Sequence, residues 1–172
     1  MIKSIKYSDL SPSETERLQH HIDTEFGHVP FVQAHVWAQP DWSIIKYEED
    51  NTATFYNVVL REIALDGQNV KAAGINNVIT PEAYRGKGYA TTLLKATEGK
   101  LFDEWGCDCG VLLCADALVP FYSRLNWYKV DAILYYDQPA GKQLYDSNVM
   151  LLTPPGCSRL SPKEIDLNGL PW

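Results

Sequence analysis

The sequence has no run of 18 apolar residues, and its start, Met1-Ile2-Lys3-Ser4-Ile5-Lys6-Tyr7, alternates apolar and polar residues. A membrane-spanning helix needs about 20 mainly apolar residues, and a secretory signal needs an apolar stretch of about 7–15. Neither reading is supported, so no membrane partner is expected and a cytoplasmic location is. Basic charge is also short: 15 Lys and Arg against 22 Asp and Glu give a net charge of −7. A nucleic-acid binder displaces counterions with a basic face. Nucleic acid is therefore not an expected partner, whereas a cationic small molecule suits an acidic surface.

Metal chemistry lacks its usual donors. The four cysteines stand at 107, 109, 114 and 157, and Cys107-Asp108-Cys109 has the wrong spacing for a zinc knuckle, with no histidine following at ligand distance. His20, His21, His28 and His35 form no ligand or triad pattern. No metal is expected. The two commonest phosphate motifs are missing as well: Thr91 stands where G-x-G-x-x-G requires its last glycine, and no G-x-x-x-x-G-K-[ST] occurs. Internal repeats and low-complexity tracts are absent.

What is present is a chain of 172 residues, 45% hydrophobic and 22% charged, enough for one domain over 1–172 with a proper core. Residues 2–7 read as a strand. Ser11-Pro12-Ser13-Glu14 reads as a helix start, with Ser11 as N-cap and Glu14 reaching back, and the helix runs to about Phe26 with Leu18, Ile22 and Phe26 on one face. Gly27 to Asp41 reads as a short helix or loop. Trp42–Tyr47, Thr54–Leu65 and Val70–Thr80 are strand-like, and the turn chemistry between them predicts an antiparallel meander. Apolar spacing predicts a helix from Gly86 to about Trp105, stopped by Gly106. Gly110–Cys114 reads as a buried strand and Pro120–Leu125 as a short helix. Trp127–Tyr136 and Asn148–Leu152 read as closing strands around a loop at Asp137–Gly141. The long helix crossing from the third strand of the meander to Gly110–Cys114 calls for a mixed α/β sheet with a parallel central pair.

Arg85-Gly86-Lys87-Gly88-Tyr89-Ala90 carries the most information. Two glycines within three residues let the backbone approach a ligand, and the helix N-terminus that follows offers free N–H groups and a positive dipole end to an anion. Arg85 and Lys87 add cations. Arg85-x-x-Gly88-x-Ala90 after Val78-Ile79-Thr80-Pro81 resembles the acetyl-CoA-binding signature of the GCN5-related N-acetyltransferases (GNAT), Gln/Arg-x-x-Gly-x-Gly/Ala. Pro120-Phe121-Tyr122-Ser123-Arg124-Leu125-Asn126-Trp127 is similar to the family's second signature, Phe-Tyr-x-x-x-Gly-Phe. The resemblance covers roughly residues 40 to 152.

It implies a single α/β domain of the family's fold whose central parallel pair splays to admit acyl-CoA, and transfer of an acetyl group from acetyl-CoA to an amine. Val78, Ile79, Thr80, Arg85, Gly86, Lys87, Gly88, Tyr89, Ala90 and Thr91 would hold the donor, with a Val78 or Ile79 amide serving the oxyanion. Tyr122 would be the general acid, since a phenol titrating near 10 can protonate a thiolate whose thiol titrates near 8.5. Asn126 keeps the left-handed conformation that the family's glycine supplies there. Asn77 falls where the strand splays. Asn76 stands where members carry a glutamate base, and an amide cannot take a proton. Asp116, Glu62 and Asp146 are the candidate substitutes, and an amine of low pKa or a water chain would need no dedicated carboxylate.

Weaker likeness to the aminoglycoside 2′-N-acetyltransferase branch makes Asp146, Asp166 and the Trp172 carboxylate candidate contacts for a small cationic acceptor. An acyl-CoA-binding regulator with little turnover and a protein or peptide N-acetyltransferase are the alternatives, and the resemblance leaves room for a homodimer.

Overall fold

Glu49 and Asp50, then Asp66 and Gly67, all take positive φ, at 47°, 65°, 49° and 79°. Paired left-handed residues make the tight turn whose twist matches the flanking strands. The computed structural model, which describes residues 1–172, accordingly folds Trp42–Glu48 (β2), Asn51–Leu65 (β3) and Gln68–Ile79 (β4) as an antiparallel meander. Ile2–Lys6 (β1) adds antiparallel to β2. The first helix, Pro12–Phe26 (α1), starts on the expected capping box: the Ser11 side chain accepts from the Glu14 N–H, and the Glu14 carboxylate accepts from the Ser11 N–H. Its apolar stripe, Leu18, Ile22 and Phe26, packs on Ile45, Tyr47, Phe55 and Ile79 of the sheet. Pro30–Ala34 forms a single turn and a half (α2).

Tyr89–Gly99 (α3) crosses the opposite face of the sheet. A wider π turn over Lys100–Glu104 extends it, and Gly106 at φ 61° ends it. Leu93, Leu94, Leu101 and Trp105 close over Ile44, Tyr56, Val58, Ala73 and Ile75. The crossover delivers Cys109–Cys114 (β5) parallel to β4, from Ala72 opposite Cys109 to Ile75 opposite Leu112. The mixed α/β fold with a parallel central pair is thus present. The helix begins at Tyr89 rather than Gly86, because Gly86 and Gly88 are both left-handed, at φ 76° and 72°.

The second half departs further from expectation. After Val119–Ser123 (α4), the stretch read as one strand divides at Asp131-Ala132 into Tyr128–Val130 (β6) and Ile133–Gln138 (β7), which lie at opposite ends of the sheet. Asp137–Gly141, read as a loop, is the tip of a hairpin that continues into Gly141–Tyr145 (β8). Asn148–Leu152 (β9) pairs with both β5 and β6. An unforeseen strand, Glu164–Asp166 (β10), slips between β3 and β7, parallel to β7. The sheet of ten strands runs β6-β9-β5-β4-β3-β10-β7-β8, with β2 and β1 branching from the other end of β3. No helix is long and apolar enough to cross a membrane.

The tail after β10 locks onto the sheet through one side chain. Trp172 is 3% exposed and lies over Gly74, where a Cβ would fall inside the indole. Its Nε1 donates to the Val111 carbonyl at 3.3 Å. The Arg61 guanidinium sits 5.4 Å over the indole and donates to the Leu167 and Leu170 carbonyls at 3.1 and 2.8 Å. We expect Trp172→Ala to cost about 3–5 kcal/mol in urea unfolding and Gly74→Ala about 1–3 kcal/mol. Because both changes act on one contact, Gly74→Ala should cost almost nothing once Trp172 is alanine. Additive losses in the double variant would mean that the two residues do not share that contact.

Candidate active site

One surplus residue in β4 creates the site. Phe55 pairs with Ile79 and Asn57 with Asn76, so Asn77 and Val78 together oppose Tyr56 alone, and Asn77 is left-handed at φ 52°. This is a β-bulge. Before it, Ala73 and Ile75 face α3 while Gly74 faces the tail. After it, Val78 packs on the α3 side and Ile79 joins the α1 cluster, a one-residue shift that reverses which face each side chain takes. The β4–β5 ladder stops at Ile75 opposite Leu112, although β5 continues against β9 to Cys114. The two strands part beyond that point, as expected at Asn77.

On the α3 side, the stretch after β4 makes a concave backbone. A Cβ built on Gly86 or Gly88 meets nothing within 4 Å, so these residues line open space. Gly88 is the left-handed N-cap of α3, and the first intrahelical bond runs from the Thr92 N–H to the Gly88 carbonyl at 3.0 Å. The Tyr89, Ala90 and Thr91 N–H groups precede that bond and have no intrahelical acceptor. This donor set, at a positive helix end, fits a pyrophosphate. Lys87 Nζ hovers 5.3 Å from the Tyr84 ring at the same mouth. Arg85 differs from its expected use: its Nη2 pairs with Glu25 of α1 at 2.6 Å and its Nε donates to the Thr80 carbonyl at 2.9 Å. The guanidinium therefore ties the cradle to α1. Thr80 Oγ1 lies 2.9 Å from Thr54 Oγ1, and Ile79 is buried in the ladder against Phe55. Val78 lies within the bulge, just past the end of the β4–β5 ladder.

Tyr122 lies on the same side, 6% exposed, packed edge-on against Phe121 and Trp127. Burial pushes its phenol well above the ordinary value, and the Cys114 thiol adds to the shift. The phenol therefore stays protonated throughout the neutral range, as a proton donor must. Asn126, at φ 65°, turns the chain from α4 toward β6 as anticipated.

On the α1 side, the opening meets a cavity of about 430 Å³. Asn57, Asn76, Asn77, Leu113 and Trp172 form its sheet wall, and Tyr7, Ile22, Asp23, Phe26, Val32 and Trp37 lie along the rest. Of the residues proposed from sequence, the cavity gathers Asn76 and Trp172 but neither Asp116, Asp146 nor Asp166. Asp116 is exposed and accepts from Asn148 Nδ2 at 2.7 Å. Asp166 is paired with Lys142 on β8 and takes the Asn168 N–H. Asp146 is exposed between β8 and β9. Trp172 enters through its indole, as a wall and tail anchor. Asn57 and Asp23 escaped notice in the sequence. For Asn57 a signal existed: a lone amide inside the apolar run Tyr56-Asn57-Val58-Val59, in a strand covered on both faces.

Residues 6–130 match the family model described as an acetyltransferase (GNAT) domain. The chain belongs to the GCN5-related N-acetyltransferase family. Its fold is similar to that of Escherichia coli ElaA, with a TM-score of 0.63, 18% identity, and coverage of 88% of this chain and 97% of that one. It is also similar to the E. coli family member YhbS, solved in complex with CoA (TM-score 0.62, 14% identity, 97% and 88% covered). A Brucella melitensis family acetyltransferase solved with acetyl-CoA has a TM-score of 0.58 and 12% identity, with 94% and 93% covered. At these identities the likeness is one of fold. No curated protein sequence matches the chain.

The cradle makes a direct prediction. Gly88→Ala should lower stability by only about 1–2 kcal/mol, the cost of a left-handed alanine, because no atom obstructs the methyl. The same methyl enters the space where a pyrophosphate would meet the backbone. Acetyl-CoA affinity measured by calorimetry should fall at least tenfold while the fold persists by circular dichroism; unchanged affinity would place the anion elsewhere.

Proposed function

We propose that this chain is an acyl-CoA-dependent N-acetyltransferase that moves an acetyl group from acetyl-CoA to a primary amine of a small acceptor. One observation carries the reading: the bulge at Asn77 opens the sheet between an anion cradle on one side and a cavity on the other. Acetyl-CoA held there supplies an acyl group activated as a thioester, whose sulfur departs as a thiolate. The amides of Gly86 to Thr91 would hold its phosphates, and the parted edges of β4 and β5 would take its arm. The Val78 N–H would donate to the carbonyl oxygen as negative charge grows on it. Tyr122 holds the proton that a departing thiolate needs.

A carboxylate base is not built into the sheet wall, since Asn76 and Asn77 are amides. The amine's proton would pass to water or to Asp23 at the rim. This feature supports the competing reading, an acyl-CoA-binding protein with little turnover, and calorimetry combined with a thiol-release assay separates the two. Acetyl-CoA binding with thiol release dependent on an added amine supports the transferase; binding alone supports the regulator; no binding rejects both.

Tyr122→Phe should lower kcat by about 10²–10⁴ with little change in acetyl-CoA affinity, because only the transition state uses the hydroxyl. The sign of the pH dependence follows from burial. A raised phenol pKa keeps the acid form present above the ordinary value near 10, so ionisation of Tyr122 should produce no falling limb in kcat between pH 8 and 10. A limb in that range that disappears in Tyr122→Phe would show a phenol of ordinary acidity.

A further inference from the structure

We propose that the α1-side cavity selects an amine bearing a single positive charge, a compact aromatic or branched apolar body and a neutral oxygen beside the amine. It would reject polyamines, aminoglycosides and free amino acids. The inference rests on the transferase reading for the chemistry but on the cavity alone for the choice of acceptor.

Charge is the first filter. Asp23 carries the only charged side chain along the cavity, and no Lys or Arg lines it. Asp23 stands at the exposed rim of α1, where Gln19 Nε2 donates to it at 2.7 Å. One carboxylate can attract one ammonium. A second or third ammonium would enter an apolar wall without a partner, and so would the carboxylate of a free amino acid, at a desolvation cost that nothing offsets. The acids that could serve a polycation lie elsewhere, with Asp166 paired to Lys142.

Shape and polarity are the second filter. Ile22, Phe26, Val32, Trp37, Leu113 and Trp172 make the cavity predominantly apolar. Its volume of about 430 Å³ lies toward the small end of ligand cavities, roughly 300–1,000 Å³. Against this lining stand two unsatisfied amide atoms. Asn57 is fully buried, and its Oδ1 accepts from Ser43 Oγ at 2.7 Å, leaving Nδ2 with no acceptor. Asn76 Oδ1 is likewise buried with no donor. The two residues are ladder partners, at the point where β5 parts from β4. A buried polar atom without a partner costs about 1–3 kcal/mol. Both residues line the cavity, so an acceptor that offers an amine N–H to Asn76 and a neutral oxygen to Asn57 would recover both bonds once the two amides turn toward it, beside the opening where the amine must meet the acyl group.

The test uses the full chain with acetyl-CoA and compares kcat/KM for phenylalaninamide, phenylethylamine, phenylalanine, spermidine and kanamycin. Phenylalaninamide should exceed phenylethylamine about tenfold, one recovered hydrogen bond, and exceed the last three by at least about a hundredfold. Asn57→Ala should erase the advantage of phenylalaninamide over phenylethylamine. If that buried change prevents folding, Asp23→Asn, on the exposed rim, should raise KM for both monoamines while leaving acetyl-CoA affinity intact. Faster turnover of spermidine, kanamycin or phenylalanine overturns the proposal while leaving the transferase reading standing. If acetyl-CoA does not bind, that reading fails, and calorimetric binding of phenylalaninamide over spermidine still decides the choice made by the cavity.

Discussion

Everything distinctive about this site depends on a strand that is one residue too long for its neighbour. Asn77 is accommodated because asparagine tolerates the left-handed region better than any other side-chain-bearing residue. The consequence is a parity change along β4: Asn76 faces α1, Val78 faces α3 and Ile79 turns back to α1. The parallel ladder cannot continue past the change, so the sheet opens in its middle rather than at an edge.

The two sides of the gap are made of different material. The α3 side is backbone: left-handed glycines and first-turn amides, with the Arg85–Glu25 pair tying the loop to α1. The α1 side is side chains, mostly apolar, with Tyr7, Gln19, Asp23, Asn57, Asn76 and Asn77 as its polar members. This division explains why an overall charge of −7 says little about what the cavity would take. Charge spread over a solvated surface is screened, and the acids near the tail are exposed or paired. Burial governs inside, both by leaving two amides unsatisfied and by keeping the Tyr122 phenol protonated.

What could be read from the sequence was what is encoded locally. The capping box at Ser11 and Glu14, the two turns with paired left-handed residues, the glycines of the cradle and the left-handed Asn126 are each decided within a few residues. The division of Trp127–Tyr136 between two ends of the sheet, the insertion of β10 and the burial of Trp172 are not. Glu164-Ile165-Asp166 is too short to show a period, and it pairs with Ala64 and Leu65, about a hundred residues earlier, which no local pattern reports. Arg85 was legible as a cation at the cradle, but its engagement with Glu25 depends on how α1 lies across the sheet. Asn57 was visible only as an oddity in an apolar run, and Asp23 only as one polar residue among many on a helix.

Trp172 belongs at once to the tail anchor and to the cavity wall, and it lies beyond the matched family region, which ends at residue 130. A substitution there would change the acceptor space and loosen the tail in one event, so selection for a new acceptor meets an immediate penalty in folding. The facing residues Val32 and Trp37 hang on a short helix and a connecting segment, outside the ladders of the sheet. Descendants of this chain should therefore diversify their acceptors from the α1–α2 side first, with the indole retained as the fixed wall against which new shapes are tried.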